Sequence, residues 1–531
     1  MNDNPKPTLP EVADEAPIAG TSRSSFGLIG ALLLAIVLVG AIAVRFITMS
    51  DLWLDEALTV NVANLPLSDL REALERDGAP PLYYVLLHFW MVVFGTANFA
   101  VRALSGALGV LMLFLSFRAG LRLGGADLDR RRWIAWSAVI VVGTSPYAIR
   151  YSTEARMYML TMVLVLIGYL ALRNALEKPT LGWLAVVSLV TASLLYTQYW
   201  ALFLLAVVGL IQVVRAWRAP TAERFAARRI TGALVVGTLL FLPWIPTFLF
   251  QLRHTGTPWD TPASPPTNAA LGILDFAGGR VMEGWTLVLP LLLLALLALF
   301  GRPTDKRHIA IDLHTVAGVR WEWLVGAATL FVGLFLSLLT GTGFQARYAA
   351  IMFPFFALVV AYGVIVFADK RIRMGILAFV AVVGFVGGAR NVATNRTQAT
   401  QVVEAIAAEA QPGDVVGYCP DQLGPAVSRL IDAELQVAQR SYPYGGSPRF
   451  VNWVDYKKRN RAASAERFAD ELLTGSGTKT LWMVWAPGYE TLDGKCEAVL
   501  NALTASRPAF TDLVSGDDNV YEFMGLRRYN P

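Results

Sequence analysis

The chain has 531 residues, 55% of them hydrophobic and only 16% charged, a balance that excludes a water-facing globule and points to an integral membrane protein. Its net charge of +5 is small and is accounted for by basic links between apolar segments, so nucleic acid is not expected as a partner.

Residues 1–25 are polar and carry several Pro, Asp and Glu, which predicts a disordered cytoplasmic N-terminus. The run FGLIGALLLAIVLVGAIAVRFI (26–47) is long enough to cross a hydrocarbon core of about 30 Å. No small-residue cleavage site follows, so it reads as an uncleaved anchor. Further apolar runs near 100–120, 133–149, 157–172, 181–196, 199–214, 231–250, 285–300, 323–340, 348–368 and 374–389 bring the candidate spans to eleven. Alternate links carry clusters such as Arg130–Arg132, Arg215 to Arg229, Lys306–Arg307 and Lys370–Arg373 and belong to the cytoplasm. Links 50–99, 150–156, 197–198, 251–284 and 341–347, with everything after Gly388, then fall outside.

Within the first external loop, 50–99, LSDLREALERD (67–77) reads as a polar helix, and PPLYYVLLHFWMVVFG (80–95) as an interfacial helix too short and too rich in Tyr and Trp to span. The loop 251–284, with Arg253, His254, Trp259, Asp260 and several prolines, is longer than a connection requires and reads as a flexible cover. Past Arg390 charge rises and long apolar runs stop, so 391–531 is expected to be a separate extracytoplasmic α/β domain, with GDVVGYC and TLWMVWA as strands and NVYEFMGL as the closing strand. It contains both cysteines, Cys419 and Cys496, and an external pair reads as a disulfide before a metal or catalytic site.

The acidic pair Asp55–Glu56 in DLWLDEALTV follows the first span directly. Carboxylates at a membrane boundary are costly unless solvated, paired or working, which makes them a site hypothesis. Three other external positions place polar groups at helix mouths: SPYAIRYSTEARMY (145–158), with Arg150, Glu154, Arg156 and Tyr158; YTQYW (196–200), with Gln198; and GTGFQARYAAIMFP (341–354), with Arg347 and Tyr348. Each alone reads as an interfacial anchor; their coincidence on one face points to a site.

The motifs WLDEA (53–57), APPLYYVLLHFWMVVFG with FAVRALSG (79–106), SPYAIRYSTEARMYML (145–160) and ARYAAIMFPFFAL (346–358), in this order, resemble GT-C glycosyltransferases of the branch holding protein O-mannosyltransferases and the bacterial aminoarabinose transferase. The resemblance covers roughly 26–390. It implies a polytopic α-helical GT-C membrane domain of about eleven transmembrane helices. It also implies transfer, with inversion, of a sugar from a polyprenyl-phosphate donor to an envelope glycan, lipid or protein at the outer face of the cytoplasmic membrane. Asp55, with Glu56 as neighbour and alternative, becomes the base, and Glu154 the second acidic position. Close carboxylates should raise one another's pKa or bind a cation. Asp55 and Glu154 are candidate ligands for Mg²⁺, Mn²⁺ or Ca²⁺. Arg347 first, then Arg156 and Arg150, are candidates for the donor phosphate. Tyr348, Tyr158, Tyr83, His88 and Gln198 are candidates for the sugar or acceptor pocket. The rival reading is a transporter or flippase of lipid-linked sugars, which would place its polar groups nearer the bilayer midplane.

Overall fold

The computed structural model describes residues 25–256, 264–316, 318–340, 344–443, 445–488, 492 and 494–531. The chain is predominantly helical. Helix α1 (Ser25–Ala43) is followed by α2 (Leu54–Ala63), α3 (Leu67–Asp77) and α4 (Leu82–Phe94). A bundle then forms from α5 (Asn98–Leu123), α6 (Leu128–Thr144), the short α7 (Pro146–Ser152), α8 (Tyr158–Glu177), α9 (Leu181–Leu195), α10 (Ala201–Arg218) and α11 (Thr221–Leu239). It is completed by α12 (Ile245–His254), α13 (Pro265–Phe276), α14 (Met282–Phe300), α15 (Arg320–Thr340), α16 (Phe353–Val364) and α17 (Lys370–Ala393).

Every predicted apolar run coincides with helix. Seven described segments are long and apolar enough to cross a membrane: α5, α8, α10, α11 continued through α12, α14, α15 and α17. The chain is thus a multi-pass membrane protein. The other runs fall on α1, α6, α9 and α16. The run 231–250 is interrupted because Pro243 cannot donate the next backbone bond, so α11 gives way to a 3-10 turn at Leu242–Trp244. The loop expected over 251–284 is corrected: its Pro265–Pro266 pair starts α13, with proline filling the first-turn positions that need no donor. Trp259 and Asp260 lie outside the described residues.

Charge sorts the bundle's two ends. At one end Arg122 pairs with Glu177 at 2.5 Å and Lys370 with Asp129 at 3.4 Å. The opposite end carries α2, the α7–α8 junction and the turn before α16. There Gly109 lets α5 close on α7, since a Cβ at that position would lie 2.3 Å from Ser152 Oγ.

The C-terminal unit begins with α18 (Ala399–Glu409). A short β-hairpin between α14 and α15 takes the labels β1 (Gly301–Pro303) and β2 (Ile309–Ile311). The C-terminal sheet comprises β3 (Val415–Cys419), β4 (Ala438–Ser441), β5 (Leu481–Trp485), β6 (Phe510–Val514) and β7 (Gly525–Tyr529), in the order β4-β3-β5-β7-β6. The first two pairings are parallel and the last two antiparallel. Strand β3 is buried at all five residues and β5 at four of its five, as continuous apolar runs in a parallel core should be. Helices α19 (Gly424–Leu430), α20 (Tyr456–Ala462), α21 (Ala465–Ser476) and α22 (Lys495–Ser506) complete the unit. A Cys419–Cys496 disulfide joins the end of β3 to α22. The closing strand is displaced from the expected NVYEFMGL: only its last two residues enter β7, and Tyr521–Glu522 turn toward the membrane domain instead, Tyr521 onto Trp53.

Candidate active site

Asp55 and Glu56 form the first turn of α2, where acids complement the helix dipole. Successive helical side chains diverge by about 100°, and these two meet different partners. Asp55 Oδ2 accepts from Arg347 Nη1 at 2.6 Å, with the two side chains 17% and 20% exposed. Glu56 is fully buried. Its carboxylate accepts from Arg102 Nε at 2.7 Å and Nη2 at 2.6 Å and from the Ala155 N–H at 2.9 Å, and Arg396 lies 3.8 Å away. Burial alone would raise its pKa, but Arg102 and Arg396 outweigh burial and hold Glu56 below the usual carboxylate range. For Glu56 the expectation that its neighbour raises it is therefore corrected: the arginines hold it down. As Arg102 also donates to Ser50 O at 2.6 Å and Asp51 O at 2.9 Å, the Glu56 pair fastens the chain entering α2 onto α5.

Around Asp55 the sequence-predicted cations converge. The turn Ala346–Ile351, pinned by the Tyr147 hydroxyl donating to Ala346 O at 3.1 Å, presents Arg347 and Tyr348. Arg156 Nη1 donates to Thr59 Oγ1 at 2.6 Å, Tyr84 at 3.3 Å and the Asp55 carbonyl at 3.4 Å. Both guanidinium groups keep a buried Nε without a partner, a donor edge a phosphate would satisfy. Tyr84 donates to Asp77 at 2.6 Å. Burial pushes the Asp77 carboxyl up, against the Arg156 charge and the Tyr84 bond. Tyr158 is buried against Tyr151, and Tyr348 stacks on Trp200 with centroids 5.7 Å apart.

Helix α7 explains the placement of the next group. Ser145 caps it by accepting from the Ala148 N–H, and Pro146 occupies its first position. The helix ends at Ser152, and the break before α8 delivers Glu154 and Arg156 to the site. Glu154 is 1% exposed and 3.6 Å from Arg150 Nε. Burial raises its pKa beyond what Arg150 and Arg396 offset. Arg150 is otherwise committed to Tyr521, donating to its hydroxyl and lying 4.4 Å over its ring.

The three other pocket candidates differ in how they are held. The His88 ring meets Ala63 O through Nδ1 at 2.8 Å and pins the end of α2, and the buried Tyr83 hydroxyl bonds Ser105 at 3.0 Å. Gln198 is 3% exposed, with both amide atoms unpartnered. The two proposed metal ligands differ in how they are met: Asp55 is bonded by Arg347, whereas Glu154 Oε2 is buried without a hydrogen-bond partner. Among the described residues no three His, Cys, Asp or Glu gather as a metal set, and Asp55 and Glu154 each face an arginine.

Deeper in the bundle α8, α9, α10, α11, α15 and α16 enclose a mainly apolar cavity of about 850 Å³, open mouth included, lined by residues such as Gly168, Leu194, Leu204, Val208 and Leu234. Leu204 lies one helical turn from Trp200, and Arg215 at the far end is three further turns along, roughly 16 Å. There Tyr169 donates to Glu322 at 2.8 Å and Arg215 covers Trp321 at 4.3 Å.

Two solved structures match this architecture over nearly its whole length. ArnT from Cupriavidus metallidurans in the apo state superposes with a TM-score of 0.58 at 13% identity, covering 95% of this chain and 98% of that one. The same protein bound to undecaprenyl phosphate gives 0.54 at 12% identity, with the same coverage. The fold is that of the GT-C glycosyltransferases. No family model matches the sequence, and the comparison with curated proteins finds no match. At identity this low the likeness establishes the fold alone, and what each residue does rests on geometry. That geometry adds Arg102, Arg396, Tyr84, Asp77 and Glu522 to the site. Arg102 had a signal, a lone arginine one turn into an apolar helix, whereas Arg396 comes from a polar stretch without a motif and Glu522 from the segment read as the closing strand.

Proposed function

We propose that this protein is an inverting glycosyltransferase that moves a sugar from a polyprenyl-phosphate donor to an envelope glycan, lipid or protein at the extracytoplasmic face of the cytoplasmic membrane. The observation that carries the reading is the Asp55–Arg347 pair, partly open, with Arg156 held beside it on the Asp55 carbonyl and Thr59. A base for the acceptor and a cation for the leaving phosphate stand side by side where a lipid-borne substrate would present its head.

In one displacement the acceptor oxygen attacks the anomeric carbon, the carbon–oxygen bond to phosphate breaks, and the bonding pair leaves with the phosphate. Asp55 takes the acceptor proton, as one carboxylate suffices for inversion without a covalent intermediate. Arg347, with Arg156 behind it, stabilises the phosphate dianion through the Nε edges left without partners. Glu56 acts through structure, holding α2 on α5. The apolar cavity deeper in the bundle suits the polyprenyl tail, a reading in keeping with the undecaprenyl phosphate held by ArnT. The gathering of polar groups at one end of the bundle supports transfer over transport. The C-terminal unit, packed on α2, stands on the same side as the site and is assigned with it to the outer face.

The test is transfer from a panel of radiolabelled polyprenyl-phosphate sugars by purified protein in nanodiscs. One sugar transferred by wild type, and lost in Asp55→Asn with lipid binding intact, upholds the proposal. Lipid binding without transfer of any sugar would move the reading to transport.

A further inference from the structure

Helix α2 starts without a cap of its own. Trp53 occupies the capping position and its side chain offers the free N–H groups nothing, although an uncapped helix start is less stable than a capped one. A carboxyl from the far end of the chain stands near this open start. Glu522, 3% exposed, has the Leu54 N–H and the Thr397 hydroxyl turned toward its carboxyl, neither closing into a full hydrogen bond. No ion pair of Glu522 occurs among the described residues.

Its backbone is fixed. The Glu522 N–H donates to Arg396 O at 2.9 Å, and the Gln398 N–H donates to Glu522 O at 3.2 Å. The Gln398 side chain binds this stretch on both sides, accepting from the N–H groups of Asp517 at 2.8 Å and Met524 at 3.0 Å. Arg396, so placed, donates to Thr153 O at 2.9 Å and faces Glu56. Next to Glu522, Tyr521 lies on Trp53 with centroids 6.2 Å apart and receives Arg150. One dipeptide of the C-terminal unit thus touches both segments that bear the site's acids, α2 and the α7–α8 junction. Burying a carboxyl with no cation is costly; packing alone would be served better by an apolar side chain.

We propose that Glu522 is a positioning residue: from the C-terminal unit it closes the open start of α2 and thereby sets the Asp55 carboxylate against Arg347. This rests on Asp55 being the base. It makes the C-terminal unit a working part of the site, so that disturbance of that unit reaches the chemistry through residues 521 and 522.

The experiment uses the full chain in nanodiscs, with Glu522→Ala and Glu522→Gln compared with wild type by hydrogen exchange over residues 51–60 and by steady-state transfer. Glu522→Ala should speed exchange at the start of α2 and lower kcat roughly 10- to 100-fold, the scale of a small misplacement of a reacting group, while donor KM stays within about twofold. Glu522→Gln, which keeps an acceptor oxygen, should restore most of both. Unchanged exchange in Glu522→Ala overturns the proposal. So does faster exchange with kcat intact, which would leave only a structural contact, or a Gln variant as impaired as Ala. Were wild type to transfer no sugar, the transfer reading would fall by itself, and exchange at 54–57 would still decide whether Glu522 holds the helix.

Discussion

Asp55 and Glu56 are adjacent in sequence and opposite in circumstance. Asp55 meets Arg347 where both side chains remain partly open, and Glu56 is sealed between Arg102 and Arg396. The first pair can rearrange around a substrate. The second cannot without exposing a buried charge.

The two acids should therefore fail differently. Asp55→Asn keeps shape and one oxygen, so the protein should fold and bind donor while transfer drops about 10³-fold, within the range of general-base catalysis. Glu56→Ala leaves Arg102 buried without its counter-ion and should cost roughly 3–5 kcal/mol, seen as lower yield and melting temperature before any kinetic effect. Equal loss of folding in both variants would refute the division of labour.

Arg347 binds as a fork, with Nη1 on Asp55 and Nε free. Lysine offers one point charge and cannot serve both directions. Arg347→Lys and Arg347→Ala should both weaken donor binding, the alanine variant by roughly 10- to 100-fold, as expected for a lost charge-assisted bond. Titration with polyprenyl phosphate lacking a sugar isolates this effect from chemistry. Unaltered affinity would remove Arg347 from the phosphate.

Much of this was legible before any coordinates. The helix positions, the helix 67–77 and the gathering of Asp55, Arg156, Arg347 and Glu154 follow from hydropathy period and motif order. What escaped was set by long-range contact. Whether Glu56 works or braces depends on Arg102, 46 residues away, and on Arg396, neither of which local pattern links to it. Residues 519–526 have strand propensity throughout, yet Tyr521–Glu522 leave the sheet because Gln398 and Arg396 compete for their backbone and Arg150 for the Tyr521 hydroxyl. The stretch 264–276 read as loop because its prolines count against helix everywhere except at the start, where they stand.

If the cavity holds the polyprenyl tail, filling it should discriminate by chain length. Val208→Trp adds bulk at mid-depth, four residues beyond Leu204 on the same α10 face. It should raise KM for long-chain donors several-fold and leave donors of two or three prenyl units unaffected, since a short tail ends above the obstruction. A uniform effect at every length would mean the tail runs elsewhere.

The Glu522 carboxyl also gives a pH signature whose sign is fixed by its burial. Desolvation, abetted by the Asp55 and Glu56 charges on α2, pushes its pKa up to about 8, against the Thr397 hydroxyl and the Leu54 N–H; Arg396 enters through its carbonyl. The folded state therefore holds this proton when the unfolded chain, titrating near 4.3, has already released it. Stability from the neutral carboxyl is fully present below that lower value and is lost as pH rises through 8. Asp421, raised to about 7 by burial, acts in the same direction, so wild type alone cannot assign the effect. The comparison with Glu522→Gln can, because the amide does not titrate and Asp421 is common to both. Between pH 6 and 8 the melting temperature of wild type should fall more steeply than that of the variant, with the gap between the two curves levelling off above pH 8. Parallel curves would mean that Glu522 carries no proton in the folded protein, and that the start of α2 is held by an ionised cap.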